Sequence, residues 1–170
     1  MTQFVKPTTS AGTPPAPAPA PAPASAAHRA TPDGAPTEPT TRVPLTTEED
    51  LLAVRHAVRA ATLAVGFGIV DQTRVVTATS ELARNAYIHG GGGVLTIEFP
   101  HRHGVKGVRL TISDDGPGIA DLDSALIDGF TTGAGLGHGL GGARRLMDDF
   151  EVHTQPGAGT TVITTRWAHR

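Results

Sequence analysis

Glu81 and Asn85 stand four residues apart in "SELARNAYIHGGGG", residues 80–93. Positions i and i+4 share one face of a helix, so a carboxylate and an amide point the same way. Two readings fit the pair. One is a solvated polar face; the other is a general base beside a ligand for a hard divalent cation. The neighbours bear on the choice, because Val75, Val76, Ala78, Thr79, Leu82, Ala83, Ala86 and Ile88 cover much of the helix circumference. A helix so largely buried carries a Glu only where that Glu has a partner.

Two further clusters have chemistry to offer. In "ISDDGPGIAD", residues 112–121, a strand runs into Asp114 and Asp115 and then turns at Gly116-Pro117-Gly118. Asp-Gly and Pro-Gly alone make a turn with solvated carboxylates. The same residues also make a strand-end acceptor for the exocyclic amine of adenine, with glycines that let a flat ring lie against the backbone. In "TTGAGLGHGLGG", residues 131–142, six glycines lead into "ARRLMDDF". That is either a pliant loop or a run of backbone N–H groups opening on a helix N-terminus, where an anion is favoured. It lacks the Lys-Ser/Thr of a P-loop, and no strand leads directly into it, so neither Walker nor Rossmann geometry applies. Together the three clusters describe one nucleotide site: Asp114 for adenine, Asn85 for Mg²⁺, the glycine loop over the phosphates and Glu81 as base. Phosphates and waters complete the cation's octahedron. Arg144 and Arg145, one turn inside the helix after the loop, are further candidates for phosphate contact.

The elements that must position these residues follow from periodicity and caps. Apolar spacing at Leu51, Val54, Val58, Ala61 and Val65, with a capping box from Thr46 to Glu49, predicts a helix over 47–65. A second helix is expected from an N-cap at Asp71 to about Ile88. Strands are expected at 94–99 and 107–114, a short helix at 121–127, the glycine loop at 129–142, a helix at 140–148, and strands at 150–154 and 160–167. Helices with adjacent hairpins give an α/β protein built as a two-layer sandwich.

Eleven of the 14 prolines fall in residues 1–44, and "TPPAPAPAPAPA" has almost nothing to bury. Ordering such residues costs about 1–2 kcal/mol each with no core to offset it. Residues 1–41 are therefore expected to form a disordered tail, with a docking segment for a proline-reading partner as the other reading, and residues 42–170 to form the folded domain. Net charge of -2 gives no reason to expect nucleic acid or an anionic membrane as partner, and there is no cysteine for disulfides, thiolate catalysis or cysteine-ligated metal. The longest apolar-leaning run, "AATLAVGFGIV", is too short to span a bilayer, and the start lacks the pattern of a signal peptide, so a cytoplasmic protein is expected.

The order "ELARN", "DDGPG", "GLGHGL", "GAGTT" resembles the N, G1 and G2 boxes and closing Thr of the GHKL (Bergerat-fold) ATPase and kinase superfamily, over about residues 45–167. Within it, "FGIVDQTRVVTATSELARN" and "GLGGARRLMDDFEV" look closest to the RsbT-type switch kinases among the anti-sigma regulatory kinases. The resemblance implies a mixed, mainly antiparallel sheet covered on one face by helices. It implies Glu81 as catalytic base, Asn85 as Mg²⁺ ligand and Asp114 as the adenine carboxylate, with Gly116 and Gly118 beside the ring. Gly133, Gly135, Gly137, Gly139 and Leu140 would belong to an ATP lid, and Thr160 would hold the adenine-linked water. His138 departs from the pattern, standing where such lids carry Leu. ATP and Mg²⁺ are the implied cofactors. Gyrase-, MutL- and Hsp90-like members need transducing domains, and a histidine kinase needs a phosphoacceptor helix pair, so a separate protein substrate is implied. The expected function is a serine/threonine kinase that phosphorylates a STAS-domain antagonist and activates a PP2C-type phosphatase. The alternatives are an RsbW-like anti-sigma factor kinase that also binds a sigma factor, and a nucleotide-gated binding module with little catalysis. Oligomeric state is left open by the sequence.

Overall fold

In the computed structural model the chain divides into two units, Met1–Ala35 and Pro36–Arg170. The structure describes residues 40–127 and 139–168. The elements run β1 (Thr41–Leu45), α1 (Glu48–Val65), α2 (Ile69–His89), β2 (Gly93–Glu98), β3 (His101–Arg102), β4 (Val105–Asp114), α3 (Leu122–Ala125), α4 (Gly139–Leu146), β5 (Asp149–Thr154) and β6 (Thr160–Trp167). The strands form one sheet in the order β1-β2-β4-β6-β5, with β3 paired to β4 beside it. Every pairing among the described residues is antiparallel, so no parallel strand makes the sheet mixed.

Alternation along the strands gives the sheet two unlike faces. Val43, Leu95, Ile112, Val162 and Val152 are register partners in one row across five strands. Together with Leu45, Ile97, Val108 and Leu110 they meet the helices in a single core, which takes in Val54 and Val58 of α1, Val75, Leu82 and Ala86 of α2, and Leu140, Ala143 and Met147 around α4. The opposite face carries Thr96, Thr111 and Ser113, all half-exposed. This is the expected two-layer α/β sandwich.

Local chemistry sets the helix ends. Thr47, one residue beyond the expected cap, starts α1: its hydroxyl accepts from the Asp50 N–H (3.3 Å), and the Asp50 carboxylate accepts from the Thr47 N–H (2.8 Å). An aspartate closes the box where the sequence pointed to Glu49, because the shorter side chain already reaches back to both Thr46 and Thr47. Gly66 ends α1 in the left-handed conformation at φ 85°, which glycine adopts without a Cβ clash. The second helix begins at Ile69, not Asp71. Its N-cap is Gly68 without a side-chain hydrogen bond, and Asp71 lies inside the first turn, engaged elsewhere. Ile88, expected on the buried face, is 52% exposed.

Candidate functional site

Asp114 is the last residue of β4, and its Cα register partner on β6 is Thr160. The two residues singled out at strand ends therefore lie side by side, although they are far apart in the chain. Asp114 is half-buried. Its Oδ1 accepts a hydrogen bond from the Gly116 N–H at 3.0 Å, which turns the carboxylate back over the Gly-Pro-Gly loop. Oδ2 takes no partner among the described residues, so one acceptor oxygen is left open. Asp115 next to it is exposed.

Backbone packing fixes the loop. The Gly159 N–H donates to the Gly116 carbonyl (3.0 Å) and the Gly157 N–H to the Pro117 carbonyl (2.8 Å), so the β5–β6 turn is bonded to the turn after β4. Thr154 completes the tie: its hydroxyl accepts from the Ile119 N–H (2.9 Å) and lies 3.1 Å from both the Gly159 carbonyl and the Thr160 hydroxyl. Gly118, at φ 72°, comes so close to the Gln155 carbonyl that a Cβ would sit 2.1 Å from it. Gly159 leaves no more room, with Asp114 O 2.1 Å from the position of a Cβ. Sequence reading missed Thr154; nothing in its local neighbourhood marks a threonine that acts only through partners on two other segments.

The end of α2 is brought to the same place. Gly90 packs against the Asp114 side chain, and a Cβ on it would lie 2.4 Å from Asp114 Cβ. Gly93 and Gly92 are held as closely, against the Ser113 and Leu45 carbonyls. These glycines thus make room for β4 and β1. Five residues before Gly90, Asn85 is half-buried, as is Glu81 one turn earlier. Neither side chain makes a hydrogen bond or ion pair among the described residues. Both side chains are therefore open to solvent or to a ligand.

Gly139 and Leu140 are not loop residues, because they form the first turn of α4. Leu140 is 8% exposed and packs in the core, so only its backbone is available to a ligand. Gly141, Gly142 and Ala143 are buried as well, while Arg144 and Arg145 are exposed. Gly133, Gly135, Gly137 and His138 lie outside the described residues. A shallow cleft of about 460 Å³ along the β5–β6 hairpin is lined by Thr154, Gly159 and Thr160, and does not extend to Glu81 or Asn85.

Glu81, Asn85, Asp114, Gly116, Gly118 and Thr160 thus lie on two connected structures, the last turns of α2 and the paired ends of β4 and β6, joined where Gly90 meets Asp114. The description of histidine kinase-, DNA gyrase B- and HSP90-like ATPases matches residues 70–168, a span that holds all six. The chain belongs to this ATPase family. A serine/threonine-protein kinase, RsbT of Bacillus subtilis, is 44% identical to it over 125 residues, 74% of this chain and 94% of that protein. The anti-sigma F factor of Bacillus licheniformis is 37% identical over 103 residues, 56% of this chain and 69% of the factor. Among solved structures, the RsbU and RsbW domains of Rv1364c from Mycobacterium tuberculosis superpose with a TM-score of 0.56 at 22% identity, over 78% of this chain. This chain spans about a third (34%) of that longer one, and the likeness is one of fold. The family uses ATP, and the open Asp114 oxygen suits an adenine amine. Among the described residues no group of three His, Asp or Glu could hold a metal. A divalent ion at Asn85 would therefore draw most of its ligands from phosphate and water, as Mg²⁺ does.

Proposed function

We propose that this chain is an ATP-dependent serine/threonine protein kinase of a partner-switching pathway, acting in the cytoplasm on a STAS-domain antagonist and activating a PP2C-type phosphatase. The observation that carries the reading is that α2, which bears the half-buried Glu81 and Asn85 four residues apart, runs into Gly90, packed on the Asp114 side chain at the end of β4. Kinship with the Bacillus subtilis kinase over nearly its whole length supports it.

In this reading Asp114 Oδ2 accepts the adenine amine, and Gly116 and Gly118 let the ring approach the backbone. Thr160 anchors a water against the base. Asn85 would hold Mg²⁺, which would neutralise charge on the phosphates of ATP. Glu81 takes the proton of the incoming serine or threonine hydroxyl as its oxygen bonds to phosphorus, and ADP leaves with the β-phosphate oxygen. A general base of this kind contributes about 10²–10⁴ in rate, with positioning and charge stabilisation supplying the remainder. The first turn of α4, which starts at Gly139, would offer backbone N–H groups to the phosphates.

The similarity to anti-sigma F factors favours a second reading, in which the same site serves a protein that captures a sigma factor. Incubating the chain with Mg·ATP and, separately, a STAS-domain protein, a sigma factor and a PP2C regulatory region distinguishes the two. The kinase reading expects phosphate on a serine or threonine of the STAS protein and retention of the phosphatase region. Stable capture of the sigma factor with no retention of the phosphatase region would favour the anti-sigma reading. Binding with no transfer to any protein would leave a nucleotide-gated module.

A further inference from the structure

Arg166 lies one residue from the end of β6, on the strand face that looks toward the helices, and is 8% exposed. A guanidinium placed there must be partnered. Its two terminal nitrogens go to different elements: one donates to Asp148 Oδ1 at 2.8 Å, the other to Asp71 Oδ1 at 2.7 Å. Asp148 follows α4 directly and is held to β6 at two further points. Its Oδ2 accepts from the Trp167 N–H (2.8 Å), and its own N–H donates to the Thr165 carbonyl (3.0 Å). Asp71 sits in the first turn of α2.

These two helices carry the two halves of the site. The far end of α2 bears Glu81 and Asn85, and the start of α4 is the N-terminus that would face phosphate. The two helices already share the core through Leu82, Ala86, Leu140 and Ala143, and the guanidinium adds a directional polar tie between the first turn of α2 and the segment just beyond α4. Stability alone does not account for the choice of arginine. Well-packed apolar side chains usually replace a buried ion-pair triad without loss, and this one leaves Arg166 Nε buried with no partner. A buried N–H without an acceptor is itself a cost. Spanning one carboxylate on α2 and another in the link after α4 requires a planar fork, which the point charge of lysine does not provide.

We propose that Arg166 is a positioning residue for phosphoryl transfer, fixing α2 against α4 so that Glu81, Asn85 and the α4 N-terminus converge on one phosphoryl group. The proposal rests on the kinase reading above. The adenine end of the site, built on β4 and the β5–β6 turn, does not depend on this tie.

The test uses the full chain and the variants R166K and D148N, with Asp149→Ala as a control in the same turn. Asp149 accepts from Trp167 Nε1 at 2.7 Å but takes no part in the triad. Affinity for ADP and for a non-hydrolysable ATP analogue is read by calorimetry with Mg²⁺ present, kcat by transfer to the protein acceptor, and folding by thermal melting. R166K and D148N are expected to keep ADP affinity within about twofold while their preference for the ATP analogue over ADP shrinks. Their kcat should fall about 10- to 10²-fold, the scale at which small misplacements act. Asp149→Ala should lower the melting temperature without moving the ratio. If R166K does not fold, D148N, which leaves Arg166 its bond to Asp71, carries the same expectation. Wild-type kcat and an unchanged ATP-to-ADP ratio in a folded triad variant would overturn the positioning role. So would a control that shifts the ratio equally. A wild-type chain that binds no ATP analogue would overturn the kinase reading along with it.

Discussion

Gly90 has no room for a side chain, since even a methyl group there would overlap the Asp114 side chain. Gly90→Ala must push Asp114 or the end of α2 aside, at about 1–3 kcal/mol for overpacking of this kind. Melting should show a lower midpoint, and calorimetry weaker ATP binding. Asp114 itself is tested more gently. Asp114→Asn can present a donor where the adenine amine requires an acceptor, an unpaired contact worth about 1–3 kcal/mol, or roughly 5- to 150-fold in affinity. Asp115→Asn, one residue on and exposed, should bind ATP like the unaltered chain. A loss in the Asp115 variant with none in the Asp114 variant would put the adenine contact one residue further along. Asp114, Gly116 and Gly118 were legible in the sequence because their geometry is local, a carboxylate bonded to an N–H two residues away. Gly90 and Thr154 act across the fold on chain segments that no short window contains.

Among the elements, α1 depends most on the chemistry of its first turn. The Asp50 carboxyl is held below the usual aspartate range, first by the Thr46 N–H, then by the Thr46 hydroxyl and the Thr47 N–H. A depressed folded-state value means that the bonds stabilise the fold above the ordinary aspartate pKa and are lost as pH falls through the depressed one. Unfolding followed against pH should therefore show an acid limb that is shallower in Asp50→Asn. Thr47→Ala, which removes the cap acceptor, should cost about 1 kcal/mol in denaturant at neutral pH. Periodicity predicted both long helices, and alternation predicted β2, β4, β5 and β6. β1 was invisible, being five residues that contain Pro44 and follow the proline-rich segment; only its pairing with β2 makes it a strand. The start of α2 was misplaced because Asp71 suits an N-cap, whereas its carboxylate is used by Arg166, 95 residues away.

At the scale of the whole molecule, the described helices and strands all lie between Thr41 and Trp167. No helix among the described residues is long and apolar enough to cross a membrane. Removing residues 1–39 should leave melting temperature and ATP affinity unchanged, and a drop of several degrees would show that this segment packs on the domain. In the proposed kinase the face of α2 bearing Glu81 performs phosphoryl transfer, and the nucleotide is held elsewhere, by Asp114. Glu81→Ala separates the two functions most directly, with ATP affinity and transfer to a protein serine or threonine measured on the same preparation. ATP affinity should stay within about twofold while transfer falls by about 10²–10⁴, the contribution of a general base. Transfer at the unaltered rate with ATP still bound would contradict the account.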